Sequence, residues 1–545
     1  MQALQLVFLV LLHQNQQSKI CSDTFIKSRR PLQTSDFFIA LIRIYSYICN
    51  FNQVNDNYML PYIRHSVSRL LFGAAIMLLA GCTSWKTPAS SADVQPEIFP
   101  DYKDVTVPRN IAPLNFMIEE ANRIQAQIYV DGKEELKLSG KDGVIRIPLK
   151  DWRSLMDHTA GKRFEIQVSA WSDEYPEGVA YSPFSVNVAE DEIDPWISYR
   201  LIEPGYEGWS QIGIYQRDMS SFDEEEIITN HASVMTCLNC HNYPSYSAES
   251  IMFHARGPEG GTILYHEGKL QKIDFKSIGP KKNVTYPAWH PEGRFLAFSS
   301  TSTYLGAYDK GKQPVEVYDI SSDLLLYDIT EGEVLTDPRF LSEDAIETFP
   351  TWSPDGNCLY YSSAPRKNMP DEADQMKYSI YRVPFDKVSR TFGDDIQVVY
   401  DCEVNGGSAT FPRISPDGRY LLYSWAEFGI FPIWHTVADM KMIDLTTGQP
   451  VDVSQWNDSS EADGYHSWSS NGRWVIFGTR RIDGRYTRLF IGYLDADGKP
   501  HKPFLLPQEN PLHNTWRLRS YNIPEFTSAK VELPEEAEAL VFPED

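Results

Sequence analysis

The pentapeptide Cys237-Leu238-Asn239-Cys240-His241 is the part of the sequence whose residue types and spacing point most directly to chemistry. Two thiols at this spacing can form thioether bonds to two vinyl groups, and the adjacent imidazole can bind iron. Cys-x-x-Cys-His is therefore the attachment signature of c-type haem. The motif predicts haem c attached at Cys237 and Cys240, with His241 as the proximal iron ligand.

Residues close to the motif could complete a haem site. His231, Met235, Met252 and His254 are candidates for the second axial ligand, with His254 preferred, and Arg256 could pair with a propionate. For His254 and Arg256, packing at a blade edge or in a solvated loop is an equal alternative. Three other interpretations of the cysteine pair stay open: a disulfide, half of a zinc site that lacks its second half, or an inert loop.

A second cysteine motif lies nearer the N-terminus. Arg64 and Arg69 precede an apolar run, Leu70–Leu78, which ends in Leu79-Ala80-Gly81-Cys82. Together these features are typical of a secretory signal. The last four residues resemble the lipobox of bacterial lipoproteins, which implies acylation of Cys82. A short transmembrane anchor is the alternative, but the run is shorter than the ~20 residues that span a bilayer.

The signal begins inside the sequence and not at its first residue. Met59 stands at the correct distance before the apolar run, which predicts a signal peptide over residues 59–81 and a spurious upstream extension over 1–58. A genuine N-terminal membrane segment is the alternative. Residues 82–106 are rich in Ser, Thr and Pro and predict a flexible tether. The expected location is the bacterial cell envelope, lipid-anchored and periplasm-facing, with surface exposure as an alternative.

Composition narrows the class of protein. The 545 residues carry 50 Lys and Arg against 74 Asp and Glu, a formal charge of −24, which disfavours nucleic-acid partners. Aromatic residues make up 13% of the chain, and Gly and Pro are frequent, which favours an all-β fold with many turns. Cys358 and Cys402 are expected as small buried apolar residues and not as a bridge.

The C-terminal two thirds contain an internal repeat. Each unit has an aromatic residue, a short strand, a Pro-Asp-Gly-like turn and a strongly apolar strand. Pro presets φ, Asp or Asn caps the turn, and Gly takes the left-handed position. Sheets of this kind bury both faces only by stacking around an axis, which predicts a β-propeller. The four clearest units are residues 286–299, 349–362, 411–424 and 465–478.

These units resemble the TolB-like, WD40-like propeller family, whose hallmark is the W-S-P-D-G-R hairpin. The resemblance covers roughly residues 198–526 and implies six blades, with seven as the alternative. It places the propeller at 193–530, with 231–257 as an insertion and 531–545 as an acidic tail. The motif segment is also similar to that of TolB-like lipoproteins described as cytochrome-like. Alternating strands over 107–192 predict a small Ig-like or fibronectin-like sandwich before the propeller.

Two functions from different classes follow. The first is a membrane-anchored periplasmic propeller that carries covalent haem and transfers electrons or serves another haem-linked role in the envelope. The alternative is a non-catalytic scaffold that binds an envelope protein or a glycan, as the TolB resemblance implies. The sequence contains no G-x-S-x-G, no H-E-x-x-H and no phosphate-binding glycine loop before a helix. Enzymatic activity is therefore not expected.

Overall fold

The computed structural model describes residues 85–203, 211–232, 236–257, 260–279, 284–308 and 315–542. The predicted signal peptide, Cys82 and Met235 lie outside these residues. Among the described helices, none is both long and apolar enough to cross a membrane.

The first part of the described chain is a seven-stranded sheet with a small two-stranded sheet and one helix. The main sheet has the order β1-β8-β7-β4-β5, and β9 pairs with both β7 and β2. Asp131 and Gly132 have φ values of 49° and 76°, as the tight hairpin turn between β4 and β5 requires. The elements are β1 (Ser90–Ser91), β2 (Thr106–Pro108), β3 (Phe116–Met117), β4 (Ala121–Val130), β5 (Lys133–Lys141), β6 (Val144–Ile145), α1 (Leu149–Thr159), β7 (Arg163–Ser172), β8 (Val179–Ala180) and β9 (Phe184–Ala189).

This arrangement does not show the predicted Ig-like sandwich. The β1–β8 and β2–β9 pairs are parallel, and α1 interrupts the run of strands. The helix was missed because its apolar residues, Trp152, Leu155, Met156 and Thr159, recur every three or four positions, which is a helical stripe and not strand alternation.

Residues 85–106 are not a free tether. Ser90 and Ser91 pair with β8, and Tyr102 and Val105 are buried in the same core as the sheet. The predicted acidic tail is also partly packed, because Val531 and Val541 are buried against the neighbouring β-sheets. In both segments, isolated apolar residues between polar ones pack against the folded core. Composition alone does not reveal such contacts.

The rest of the chain forms six antiparallel sheets, which confirms the all-β, six-bladed propeller. Each sheet has four strands, except that blade four divides its outer position between two short strands. The last strand of the chain pairs with β10 and closes the ring. Blade one is β10 (Trp196–Ile202), β11 (Gly213–Asp218) and β12 (Glu224–Thr229); blade two is β13 (Cys237–Asn242), β14 (Ile251–Arg256), β15 (Gly261–His266) and β16 (Lys269–Ile273); blade three is β17 (Thr285–Trp289), β18 (Phe295–Ala307), β19 (Val315–Asp328) and β20 (Glu333–Leu335); blade four is β21 (Ala345–Trp352), β22 (Cys358–Pro365), β23 (Ser379–Asp386), β24 (Thr391–Phe392) and β25 (Gln397–Tyr400); blade five is β26 (Ser408–Ile414), β27 (Tyr420–Ala426), β28 (Asp439–Asp444) and β29 (Gln449–Val451); blade six is β30 (Asp463–Trp468), β31 (Trp474–Thr479), β32 (Arg488–Tyr493) and β33 (Phe504–Leu505); and β34 (Ser520–Thr527) completes blade one.

The predicted turns join the two innermost strands of blades three to six. Gly293, Gly356, Gly418 and Gly472 all have positive φ, between 68° and 83°. This is the left-handed region that the Pro-Asp-Gly pattern predicted. Short helices lie between strands at α2 (Phe275–Ile278), α3 (Cys402–Asn405), α4 (His513–Trp516) and α5 (Glu536–Val541).

Candidate functional site

The innermost strand of every blade contains one non-glycine residue in the left-handed conformation, with φ between 43° and 54°. The strand pairing shifts at this residue in all six blades, so the chain bulges at the same place each time. Four of the six residues are aromatic, and their rings pack together, with centroids of Phe349 and Phe411 3.9 Å apart. We call this set the plug ring: Cys240, Tyr286, Phe349, Phe411, Tyr465 and Ile523.

The plug ring places the Cys-x-x-Cys-His motif within the propeller repeat. The segment predicted as an insertion, 231–257, is instead largely β13 and β14 of blade two. Cys240 occupies a position that is aromatic in blades three to six and Ile523 in blade one. His241 corresponds to a proline in blades one, three, four and five, and to His466 in blade six.

A second repeated position lies on the strand next to the innermost one in each blade. It pairs with the residue that comes just before the plug-ring residue of the same blade. In blades three to six this position is small: Ser299, Ser362, Ser424 and Gly478. In blades one and two it is large and polar, since Arg200 pairs with Asn522 and His254 pairs with Asn239. The repeat is therefore broken at both positions in blade two and at the second in blade one.

A cavity of about 740 Å³ lies at this break. Its volume is within the range of small-molecule sites. Tyr286, Tyr465 and Trp434 add aromatic surface to its wall. We call it the histidine cavity, defined by Arg200, Asn239, Cys240, His241, His254 and Arg256.

His241 lines this cavity with a largely buried imidazole. The residue is 4% exposed, and its Nε2 has no hydrogen-bond partner among the described residues. Burial lowers the pKa of His241 to about 3, and the nearby charges of Arg200 and Arg413 lower it further.

Two more buried polar atoms in the cavity wall lack partners within the described part of the chain. His254 bonds through Nδ1 to Thr262 Oγ1 at 2.9 Å, which leaves its Nε2 unpaired, and burial lowers its pKa to about 3. Asn522 Oδ1 is likewise buried and unpaired. Unsatisfied buried polar atoms are costly, and three of them belong to residues that line this cavity.

The charge of the cavity differs from that of the chain as a whole. Among the described residues, its wall includes Arg200, Arg256 and Lys276 and one carboxylate, Asp274, while both imidazoles are neutral. Arg200 donates to Asn239 Oδ1, and Asp274 caps α2 by accepting from the backbone N–H of Lys276. In a protein of formal charge −24, positive side chains therefore outnumber negative ones among the described residues of this wall.

The predicted site residues do not all meet. Cys240, His241, His254 and Arg256 line the cavity together, but Cys237 does not. His231 is exposed, and Met252 is buried in a different cluster. The described cysteines Cys237, Cys240, Cys358 and Cys402 are all free, so the structure has no Cys237–Cys240 disulfide and no Cys358–Cys402 bridge.

The two cysteines of the motif differ in their relation to the cavity. The motif forms part of a strand, in which three residues span about 10 Å, and Cys240 lines the cavity whereas Cys237 does not. Asn239 Nδ2 lies 3.1 Å from Cys237 Sγ. Within the described residues, no group of three or more His, Cys, Asp or Glu side chains could hold a metal ion.

Arg200 and Asn522 are site residues that sequence reasoning missed. They come from the two ends of the propeller and meet only because β34 closes blade one. Blade six held a signal that the Cys-x-x-Cys-His motif is part of the repeat, because Tyr465-His466 stands in the same register as Cys240-His241.

Comparison with solved structures finds only distant similarities. The chain is similar to the Pseudomonas aeruginosa periplasmic gluconolactonase PpgL, with 15% identity, a TM-score of 0.33, and coverage of 56% of this chain and 82% of that one. A puromycin-hydrolyzing peptidase of Mycobacterium tuberculosis has 14% sequence identity and a TM-score of 0.33, and the match covers 74% of this chain and 57% of the peptidase. Prolyl oligopeptidase B of Galerina marginata has 9% sequence identity and a TM-score of 0.32, and the match covers 63% of this chain and 42% of the oligopeptidase.

The chain thus spans less than two thirds of either peptidase chain. No family model and no curated protein matches the sequence. We draw no functional inference from these similarities.

Proposed function

We propose that this protein is a small-molecule-binding β-propeller and that the histidine cavity is its binding site. One observation carries the proposal: Arg200 and His254, which line this cavity in blades one and two, stand at a repeated position that holds Ser or Gly in blades three to six. Packing alone does not require this change, because blades three to six close the same joint with Ser or Gly.

A thermal-shift screen of small anions, sugars and haemin against the purified chain tests the proposal. A bound ligand stabilises the folded state by mass action, so at least one compound should raise the melting temperature. His241→Ala should abolish the rise. His466→Ala is the matched control, since it removes the equivalent histidine of blade six, which is equally buried but does not line the cavity. Equal shifts in both variants would contradict the proposed site.

Haem is a second candidate ligand, favoured by the Cys-x-x-Cys-His motif and by the position of Cys240, His241 and His254 in the wall of one cavity. His241 and His254 would hold the iron, Arg256 would face a propionate, and the group would supply one-electron transfer. An absorption spectrum after expression with a haem-attachment system tests this, and a colourless protein would contradict it.

We also propose that Cys82 is acylated and anchors the propeller to the bacterial envelope on its periplasmic side. The support is the short apolar run that ends in Leu79-Ala80-Gly81-Cys82. Intact-mass analysis of membrane-purified protein should give a chain that begins at a lipid-modified Cys82. An unmodified N-terminus upstream of Cys82 would contradict the proposal.

A further inference from the structure

We infer that the outer part of strand β18 is a docking edge for an extended, acidic peptide segment of a partner protein. The segment would add one strand to blade three, along the side of the histidine cavity. This interface is additional to the small-molecule site of the proposed function, because it requires a polypeptide backbone and no small ligand.

The hairpin of β18 and β19 is longer than its blade requires. The two strands have 13 and 14 residues, whereas the equivalent strands of the other blades have six to eight. β18 pairs with β17 only as far as Ser299, opposite Thr285, but it pairs with β19 as far as Ala307. Among the described residues, 302–307 therefore have a strand on one side only.

The histidine cavity lies along this free edge. Its wall includes all of residues 301–305, but only Val317 from the facing part of β19. Successive side chains of a strand point to opposite faces, so a cavity against one face would meet every second residue. Five consecutive lining residues indicate that the cavity lies beside the edge, where the backbone N–H and C=O groups point.

The free edge of β18 lacks the protection that other outer edges have. Among the described sheets, the outer edge strands with more than four residues are β5, β12 and β16, and all three carry several Lys or Glu side chains, which deter pairing with another chain. Residues 302–307 contain no charge and no proline, and all except Gly306 are exposed. An unprotected edge of this length is a template for strand addition by a peptide.

The other strand of the hairpin holds the edge in place. Glu316 and Asp319 of β19 are buried against blades four and five. His435 Nε2 lies 3.0 Å from a carboxylate oxygen of Glu316, and the Tyr378 hydroxyl donates to Asp319. A preformed edge loses little conformational freedom when a peptide pairs with it, so less of the binding free energy is spent on ordering.

The charge beside the edge selects an acidic segment. Arg256 and Lys276 are exposed on the cavity wall, and Asp274 is the one carboxylate among the described wall residues. Acidic side chains on a docked strand would complement the two cations. The edge itself offers hydroxyl, aromatic and aliphatic side chains, which pair well across strands with β-branched and aromatic residues.

A peptide copied from β19 tests the inference, because this sequence already pairs with β18 on its other side. The probe is acetylated, amidated Val-Glu-Val-Tyr-Asp-Ile-Ser, the sequence of residues 315–321, with a fluorescent label. Anisotropy with the purified full chain should show binding. N-methylation of the third and fourth residues, one on each edge of the peptide, should weaken binding at least tenfold. Replacing its Glu and Asp by Gln and Asn should weaken binding at least threefold.

Hydrogen exchange and a matched pair of variants locate the bound peptide. The peptide should slow amide exchange in residues 302–307 and leave exchange in residues 315–321 of the chain unchanged. Leu305→Asp places a repelling charge on the edge and should weaken binding at least fivefold. Val398→Asp, on the outer strand β25, is the control and should not weaken it, since the two positions are similarly exposed, at 47% and 54%.

The contrary outcomes are distinct. No binding of the probe, equal binding of the N-methylated peptide, or equal losses in the Leu305 and Val398 variants would overturn the docking edge. Faster exchange in residues 315–321 would mean that the peptide replaces β19, which would also overturn it. Equal affinity of the neutral peptide would overturn the acidic class of partner. The thermal-shift screen with small compounds tests the proposed function separately, so a failure of the docking edge leaves that proposal standing.

Discussion

Blades three to six and blades one and two solve the same packing problem in different ways. In blades three to six, aromatic plug-ring residues and small partners close the channel, and Ser299 Oγ accepts from the backbone N–H of Phe349 at 3.0 Å. In blades one and two, Cys240, Arg200 and His254 replace these residues and leave a polar cavity. The comparison shows how an internal repeat can be used to find a candidate site. Residues that differ from their equivalents in the other blades, without a packing reason, mark the place.

The largest effect is expected at a turn of the regular blades. Gly356 has φ +71°, and a Cβ there would lie 2.3 Å from Nε2 of the buried His290. Gly356→Ala should therefore cost about 2–5 kcal/mol of unfolding free energy, from the left-handed backbone and the clash together. Gly418→Ala is the control, because φ is +74° but the nearest atom is 4.0 Å away, and it should cost about 1–2 kcal/mol. Urea unfolding measures both, and equal costs would contradict the turn geometry.

Ser299 in blade three and His254 in blade two stand at the same repeated position, and exchanging their residue types should lower stability by different amounts. Ser299→His places a large ring in a closed joint and removes the hydrogen bond to Phe349, which should cost about 2–3 kcal/mol. His254→Ser restores the repeat and enlarges an existing cavity, so it should cost about 1 kcal/mol or less. The two variants are compared by chemical denaturation. A larger loss for His254→Ser would mean that this histidine serves packing and not ligand binding.

The buried histidine of blade two should make stability sensitive to acid. The pKa of His254 is lowered by burial to about 3, against 6.5 in an unfolded chain, so between these values only the unfolded state binds the proton. Its contribution to stability is present above pH 6.5 and is lost as the pH falls towards 3. His254→Ser should therefore reduce the acid sensitivity of the unfolding free energy by up to about 1.4 kcal/mol per pH unit in this window. Identical pH slopes in both proteins would contradict the buried, neutral state.

The smallest effect concerns thiol reactivity, which separates the two regions without changing stability. Cys237 and Cys240 are partly exposed, whereas Cys402 is 7% exposed. A maleimide reagent followed by peptide mass analysis should label the first two in the folded protein and Cys402 only after unfolding. A ligand in the cavity should protect Cys240 but not Cys237. Equal protection of both would place the ligand elsewhere.

The sequence predicted the propeller because its information is local. The Pro-Asp-Gly turn at Gly356 and its equivalents needs only neighbouring residues, and the sheet order follows from repeating it. Cys240, His241, His254 and Arg256, which the sequence analysis grouped in a haem site, line one cavity, and the motif forms a strand of blade two. Arg200 and Asn522 were out of reach because their contact depends on ring closure by β34.

One measurement tests the central claim most directly: binding by a variant in which the repeat is restored. Arg200→Ser, Cys240→Phe and His254→Ser together give blades one and two the residue types of blades three to six. Titrated with the compound that raises the melting temperature of the unmodified chain most, this variant should fold and show no binding. A folded variant that binds as tightly as the unmodified chain would contradict the account.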